Sequence, residues 1–114
     1  MTRDEVDQIC AALPGAHLAS HHDGGLDAWK VGGKMFACIG MAGDGVSVKC
    51  DDVDTAQFLI EIGAARKAKY FHRSWVRVPF EGKGPQEMTE RIQSSYDLIR
   101  ASLTKKVQAT LPSR

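Results

Sequence analysis

Short β-type segments separated by glycine turns fill residues 17–50, and this pattern restricts the fold more than any other feature of the chain. The segments read HLASHH, DAWKV, KMFACIGM and VSVKC. The pair Gly32-Gly33 suits a two-residue hairpin turn, which requires positive φ at its central residues. In VSVKC, apolar and polar residues alternate, as in a strand with one buried face. The sequence therefore predicts an antiparallel meander with one solvent-facing side.

Two helices are predicted to flank this meander. Thr2 and Glu5 have the spacing of a capping box, so a first helix is expected from about Arg3 to Leu13, where a proline–glycine pair ends it. A second helix is expected to begin after a cap at Asp51 and to end at Gly63. Its predicted packing residues are Phe58, Leu59 and Ile62.

At least one more strand is predicted near Val76, Val78 and Phe80, and a last helix is expected to begin at Pro85 and to end near Lys105-Lys106. The apolar stripe of this helix is Met88, Ile92, Tyr96, Ile99 and Leu103. This order predicts an α+β fold, with one antiparallel sheet of five or six strands and helices packed on one face. We expect one domain over residues 1–107 and a flexible tail at 108–114.

The composition sets further limits on the class of protein. A chain of 114 residues suits a single domain with one core. It has no apolar run near the roughly 20 residues of a membrane span, and its acidic, amphipathic N-terminus is unlike a signal peptide. We therefore expect a cytoplasmic monomer that does not enter membranes. Cys10, Cys38 and Cys50 form no CxxC pair and are expected to be reduced, buried thiols.

No motif indicates catalysis or a cofactor. The sequence contains none of the usual catalytic motifs at a spacing that would bring their residues together: a nucleophile with a base, a GxSxG elbow, paired acids or a phosphate-cradling glycine loop. We therefore expect a protein that is not an enzyme. Two groups are candidates for metal ligands: His17, His21, His22 and Asp23, and the acids Asp4, Glu5 and Asp7. Adjacent histidines in a strand point to opposite faces, and acids in a first helical turn are ordinary capping. We therefore expect no metal site.

Charge is divided unevenly along the chain. Residues 1–62 hold four Lys/Arg and ten Asp/Glu, whereas residues 63–114 hold eleven and four. Five cations concentrate in one segment: Arg66, Lys67, Lys69, Arg73 and Arg77. They alternate with Tyr70, Phe71, His72 and Trp75, an arrangement typical of phosphate contacts interleaved with stacking groups. In the alternative interpretation, these arginines pair with the acidic first half and the aromatic residues fill the core.

Two further surfaces are candidates for binding. Lys30 and Lys34 flank Gly32-Gly33, where missing side chains permit close approach to a sugar–phosphate backbone. A pocket lined by Trp29, Trp75 and Tyr96 would instead bind a small metabolite, although these aromatic residues also suit a core. An unidentified protein partner is the remaining alternative.

Three stretches resemble the MmcQ/YjbR family: LPGAHLASHHDGGLDAWKVGGKMFACIG, GVSVKCDD and SSYDLIRASLTKK. The resemblance implies a fold like that of CyaY, the bacterial frataxin, and contact with double-stranded DNA through two hairpin wings. In the segment that ends at Trp75, many members show a His-containing stretch such as HMNKRHW, whereas this chain reads YFHRSW. The resemblance implies that His72 is a contact. Since the pI is only about 7.8, we expect any DNA binding to be weak and salt-sensitive.

Overall fold

One six-stranded antiparallel sheet organises the protein in the computed structural model, which describes residues 1–20 and 27–114. The strands are β1 (His17–Ser20), β2 (Asp27–Val31), β3 (Lys34–Ile39), β4 (Gly45–Lys49), β5 (Arg66–Lys67) and β6 (Trp75–Pro79). Their order in the sheet is β1-β2-β3-β4-β6-β5, and every pairing is antiparallel. The predicted meander and the α+β class are thus confirmed.

Helices cover one face of this sheet. They are α1 (Arg3–Ala11), α2 (Val53–Glu61), α3 (Pro85–Ser102) and the short α4 (Lys105–Ala109). The long helix α3 crosses β2, β3 and β4, α2 lies on β5 and β6, and α1 packs against α3. Within the described residues, no helix is both long enough and apolar enough to cross a membrane.

The predicted stripe of α3 is confirmed as the centre of the core. Met88, Ile92 and Tyr96 are completely buried, and the Tyr96 ring meets Phe36 edge to face at 5.4 Å between ring centres. Because β3 and β4 lie directly beneath α3, this stripe contacts the valines of β4 and the apolar residues of β3. Burial of the stripe therefore fixes α3 on the sheet.

Two predictions about α2 are wrong. Its N-cap is Asp52 rather than Asp51, since the Asp52 carboxylate accepts the N–H of Thr55 at 2.7 Å. Phe58 and Ile62 are 57% and 58% exposed, and the buried side chains are Ala56 and Leu59. The physical reason is that α2 lies near the sheet edge, where only one narrow side of the helix meets β5 and β6.

The C-terminal end of α3 also differs from the prediction. Lys105-Lys106 begin α4 instead of ending α3, because Leu103 is extended and the Thr104 hydroxyl caps the new helix by accepting the N–H of Val107. After α4, the carbonyls of Leu111 and Pro112 accept hydrogen bonds from Arg100. Flexibility of residues 108–114 in solution stays a prediction.

Two adjacent side chains of α3 tie the helix to the backbone elsewhere. The buried Ser95 hydroxyl donates to the carbonyl of Phe36 at 2.7 Å and accepts the N–H of Lys49 at 2.9 Å. It thus bridges β3 and β4 just beyond their last paired residues. The Tyr96 hydroxyl donates to the Pro14 carbonyl at 2.7 Å, which holds the turn after α1. Several residues that carry the family resemblance therefore have structural roles.

The three cysteines are free and buried, as predicted. Burial raises the pKa of Cys10 to about 12, and it raises the pKa values of Cys38 and Cys50 as well. Since the thiolate is the reactive form, these thiols are poor nucleophiles near neutral pH.

The helix caps make stability depend on pH in the acid range. Hydrogen bonds from Thr2 and Thr55 lower the pKa values of Glu5 and Asp52 below their ordinary values of 4.5 and 3.8. A carboxyl with a lower pKa in the folded state stabilises fully above its ordinary pKa, and that contribution is lost as pH falls through the folded value. We expect the melting temperature to fall below about pH 4.5, and the fall to be smaller in the neutral double variant Glu5→Gln/Asp52→Asn. Thermal scans at several pH values in which the melting temperature of both proteins falls equally with pH would contradict this.

Candidate nucleic-acid interface

A row of facing residues crosses the outer side of the sheet, opposite the helices. Cys38 on β3 faces Ser47 on β4, Ser47 faces Arg77 on β6, and Arg77 faces Arg66 on β5. Directly opposed residues of antiparallel strands project to the same face. The row therefore has a small, uncharged half on the central strands and a cationic half toward the edge.

A cleft of about 410 Å³ lies on this row. Its lining, which we call the outer cleft, consists of Cys38, Gly40, Gly45, Ser47, Arg66, Lys67, Lys69, Phe71 and Arg77. Small residues of β3 and β4 form its floor, and three of them, Cys38, Gly45 and Ser47, are buried. Phe71 comes from the connection after β5. Four of the five predicted phosphate contacts are brought together here, and no carboxylate belongs to the lining within the described ranges.

Arg77 is the most firmly placed of these cations. Its guanidinium pairs with Asp44 and lies so close to Gly45 that a Cβ there would come within 2.8 Å of it. Arg66 lies directly opposite on β5. Like charges at facing positions destabilise a sheet, so this arrangement has an electrostatic cost that a bound anion would offset. Among the described residues, Arg77 is the one member of the five-cation set in an ion pair.

The connection between β5 and β6 carries an unusual exposed aromatic residue. Tyr70 is fully exposed and has φ of +69°, a left-handed conformation that is uncommon for a residue other than glycine. Beside it, the Phe71 ring stacks on Trp75 with 5.0 Å between ring centres. The buried residues Ala68 and Ser74 anchor the two ends of this connection. Tyr70 is thus presented to solvent between Lys69 and the stacked pair.

His72 has a local role in the same connection. Its Nδ1 accepts the N–H of Ser74 at 3.1 Å and lies 2.8 Å from the Ser74 hydroxyl, which also accepts from Lys49 Nζ at 2.7 Å. The imidazole therefore stabilises the turn before Trp75. The exposed remainder of the ring stays next to Arg73, which is itself exposed and lies outside the cleft lining.

The predicted wing residues are not part of this cleft. Lys34 donates to the hydroxyl of Ser102 at the end of α3, on the helix side of the sheet. Lys30 is half-buried on β2, paired with His17 and Met35. The hairpin turn between the two lysines has the expected positive φ angles at both glycines.

The remaining candidates from the sequence are the two groups of metal ligands and the pocket of three aromatic residues. Of the histidine group, His21, His22 and Asp23 lie outside the described residues. Glu5 is used in the capping box, and Asp7 accepts the indole N–H of Trp29 at 2.9 Å. Among described positions, no group of three or more His, Cys, Asp or Glu residues is placed to hold a metal ion. Trp29 and Tyr96 are buried in the core, and Trp75 is half-buried against it.

Sequence reasoning identified the cations but missed the floor of the cleft. In the sequence, Cys38 and Ser47 look like ordinary strand residues, and the glycines around Asp44 predict only that it lies in a turn. The single usable signal was the alternation in VSVKC, which assigns Ser47 to the side opposite the core.

The family and fold comparisons agree with each other. The crystal structure of Deinococcus radiodurans protein DR2400, with the family-model domain DUF419, is similar at 21% identity and a TM-score of 0.84, covering 96% of this chain and 86% of that one. At this identity the likeness shows the fold. No curated protein matches the chain. The YjbR family model matches residues 11–98, most of the chain, and includes β1 to β6 and most of α3. The chain therefore belongs to the YjbR family.

Proposed function

We propose that this protein is a cytoplasmic, monomeric, non-enzymatic module that binds double-stranded DNA weakly, through the phosphate backbone. The surface in question, the basic face, consists of Arg66, Lys67, Lys69, Arg73 and Arg77 with the exposed Tyr70. The observation that carries the proposal is the opposition of Arg66 and Arg77 on one sheet face, with Lys67 and Lys69 at the same cleft.

The pattern of ion pairing supports this proposal over a purely solvated strand face. If these cations only balanced the acidic first half, they would be expected to lie against carboxylates. Within the described part of the chain, only the Arg77–Asp44 pair meets that expectation. The remaining cations of the basic face are exposed and available to phosphates.

The basic face suits backbone contact without base readout. Its cations lie on β5, β6 and the short connection between them, and among the described residues the basic face includes no helix that would enter a groove to reach base edges. Lys30 and Lys34, the predicted wing contacts, lie on other parts of the sheet. We assign them a lesser role, in which a long duplex touches the β2–β3 turn.

Salt dependence tests the proposal. If about four phosphates are neutralised, log affinity should fall against log salt with a slope of roughly −3.6. We expect fluorescence anisotropy of a labelled random duplex to show binding at about 50 mM salt and much weaker binding at about 200 mM. No binding at the lower salt, or affinity independent of salt, would contradict it.

A further inference from the structure

We propose that the outer cleft is a binding site for a small anion that joins a flat ring to a phosphate, a nucleoside monophosphate being the simplest example. The site shares cations with the basic face but does not require that duplex DNA binds. Its volume of about 410 Å³ lies within the range of small-ligand pockets.

The floor and wall of the cleft suit a flat ring. Gly40, Gly45, Cys38 and Ser47 contribute backbone and small side chains, which occupy little of the space above β3 and β4. Phe71 closes one side, and its ring is held by stacking on Trp75. A nucleobase entering the cleft would contact this apolar floor and stack against Phe71.

The rim suits a phosphate. Arg66 and Arg77 face each other across β5 and β6, and Arg77 is oriented by its ion pair with Asp44. Guanidinium groups bind phosphate oxygens with two parallel hydrogen bonds, and Lys67 and Lys69 add flexible positive charge at the same opening. A bound phosphate would also relieve the repulsion between the two arginines.

The neighbouring cleft is a poorer candidate for the same ligand. It holds about 350 Å³ and is lined by the cations Arg3, Arg66 and Arg77 and by Met1, but the carboxylates Asp44 and Glu81 belong to the same lining, whereas the lining of the outer cleft includes four cations and no carboxylate among the described residues. Carboxylates at the opening disfavour an anion. The geometry therefore assigns the nucleotide to the outer cleft.

The ring and the phosphate of the ligand are both expected to contribute to its affinity for the outer cleft. In calorimetric titrations of the full chain, we expect AMP to bind at least about ten-fold tighter than adenosine or inorganic phosphate, because each of these lacks one half of the recognised group. AMP binding no tighter than phosphate would overturn the inference. In the amide NMR spectrum, AMP should shift Cys38 and Ser47, and unshifted signals for both would also overturn it.

Substitutions at one floor position separate this site from the basic face. Ser47→Leu fills the cleft without changing charge, whereas Ser47→Ala leaves it open. We expect Ser47→Leu to weaken AMP binding at least about ten-fold, Ser47→Ala to retain it, and both to keep duplex affinity within about two-fold. Phe71→Leu, which removes the flat ring, provides an independent test if Ser47→Leu does not fold. Unchanged AMP affinity in a folded Ser47→Leu or Phe71→Leu protein would refute the site.

A further binding experiment distinguishes two sources of the ligand, a free nucleotide and the end of a DNA strand. A duplex with one unpaired terminal nucleotide is compared with the blunt duplex of the same sequence. Tighter binding of the overhang supports the site as a receptor for a strand end, and equal binding with AMP still bound supports it as a receptor for a free nucleotide. If neither AMP nor the overhang adds affinity while blunt duplex binds, the cleft inference fails and the proposed function stands.

Discussion

Replacing Ser95 with alanine is expected to lower the free energy of unfolding by about 1–3 kcal/mol. The hydroxyl is completely buried and satisfies two backbone groups, the carbonyl of Phe36 and the N–H of Lys49. Alanine would leave this carbonyl and this N–H without their hydrogen-bond partner. They lie just beyond Ala37 and Val48, the last paired residues at this end of β3 and β4. The loss is measured by urea unfolding.

Ser94→Ala provides the matched control, since Ser94 is the preceding residue of the same helix and is exposed. Alanine is the better helix former, so this change should leave stability unchanged or raise it by a few tenths of a kcal/mol. Equal stabilities for the two variants would show that the Ser95 bridge does not stabilise the fold.

Charge reversal at Lys67 and Lys69 is expected to have the largest effect on duplex binding. Both residues are exposed and belong to the lining of the outer cleft, together with Arg66 and Arg77. If each contacts one phosphate, Lys67→Glu/Lys69→Glu removes two contacts, which should reduce the size of the salt slope by about 2 and weaken binding at least about ten-fold at low salt.

The control is Lys105→Glu/Lys106→Glu, which makes the same change in net charge on α4. These lysines are exposed and belong to α4, whose Val107 lies beside Gly32 of the β2–β3 turn and not in the outer cleft. We expect this variant to keep the native salt slope and most of the native affinity. Similar losses in both variants would mean that duplex binding follows overall charge and not the basic face.

Local sequence signals predicted the parts of the fold that local chemistry determines. Gly32, Gly33 and Gly63 adopt positive φ as expected from the turn and helix-end signals. Pro85 begins α3, and the periodic stripe that follows it is the core. At the glycines and at Pro85, the residue itself restricts the backbone. Along α3, apolar residues recur with the helical period over several turns and so indicate the buried side.

The errors arose where tertiary position overrides the local pattern. Phe58 and Ile62 have helical packing spacing, but α2 lies over β6 and the two-residue edge strand β5, where part of the helix has no sheet beneath it, so they remain exposed. Lys105-Lys106 suit the end of a helix, yet Thr104 starts a new one. The outer cleft was beyond sequence reasoning for a related reason, since Cys38 and Ser47 meet Arg66 only through the pairing order of four strands.

The most direct test of the basic face is an amide NMR titration of the protein with a short random DNA duplex at low salt. We expect the largest shift changes on residues 66–77, with little change along α2. Shift changes concentrated on α2 or α4, or no changes at duplex concentrations well above those of the protein, would contradict it.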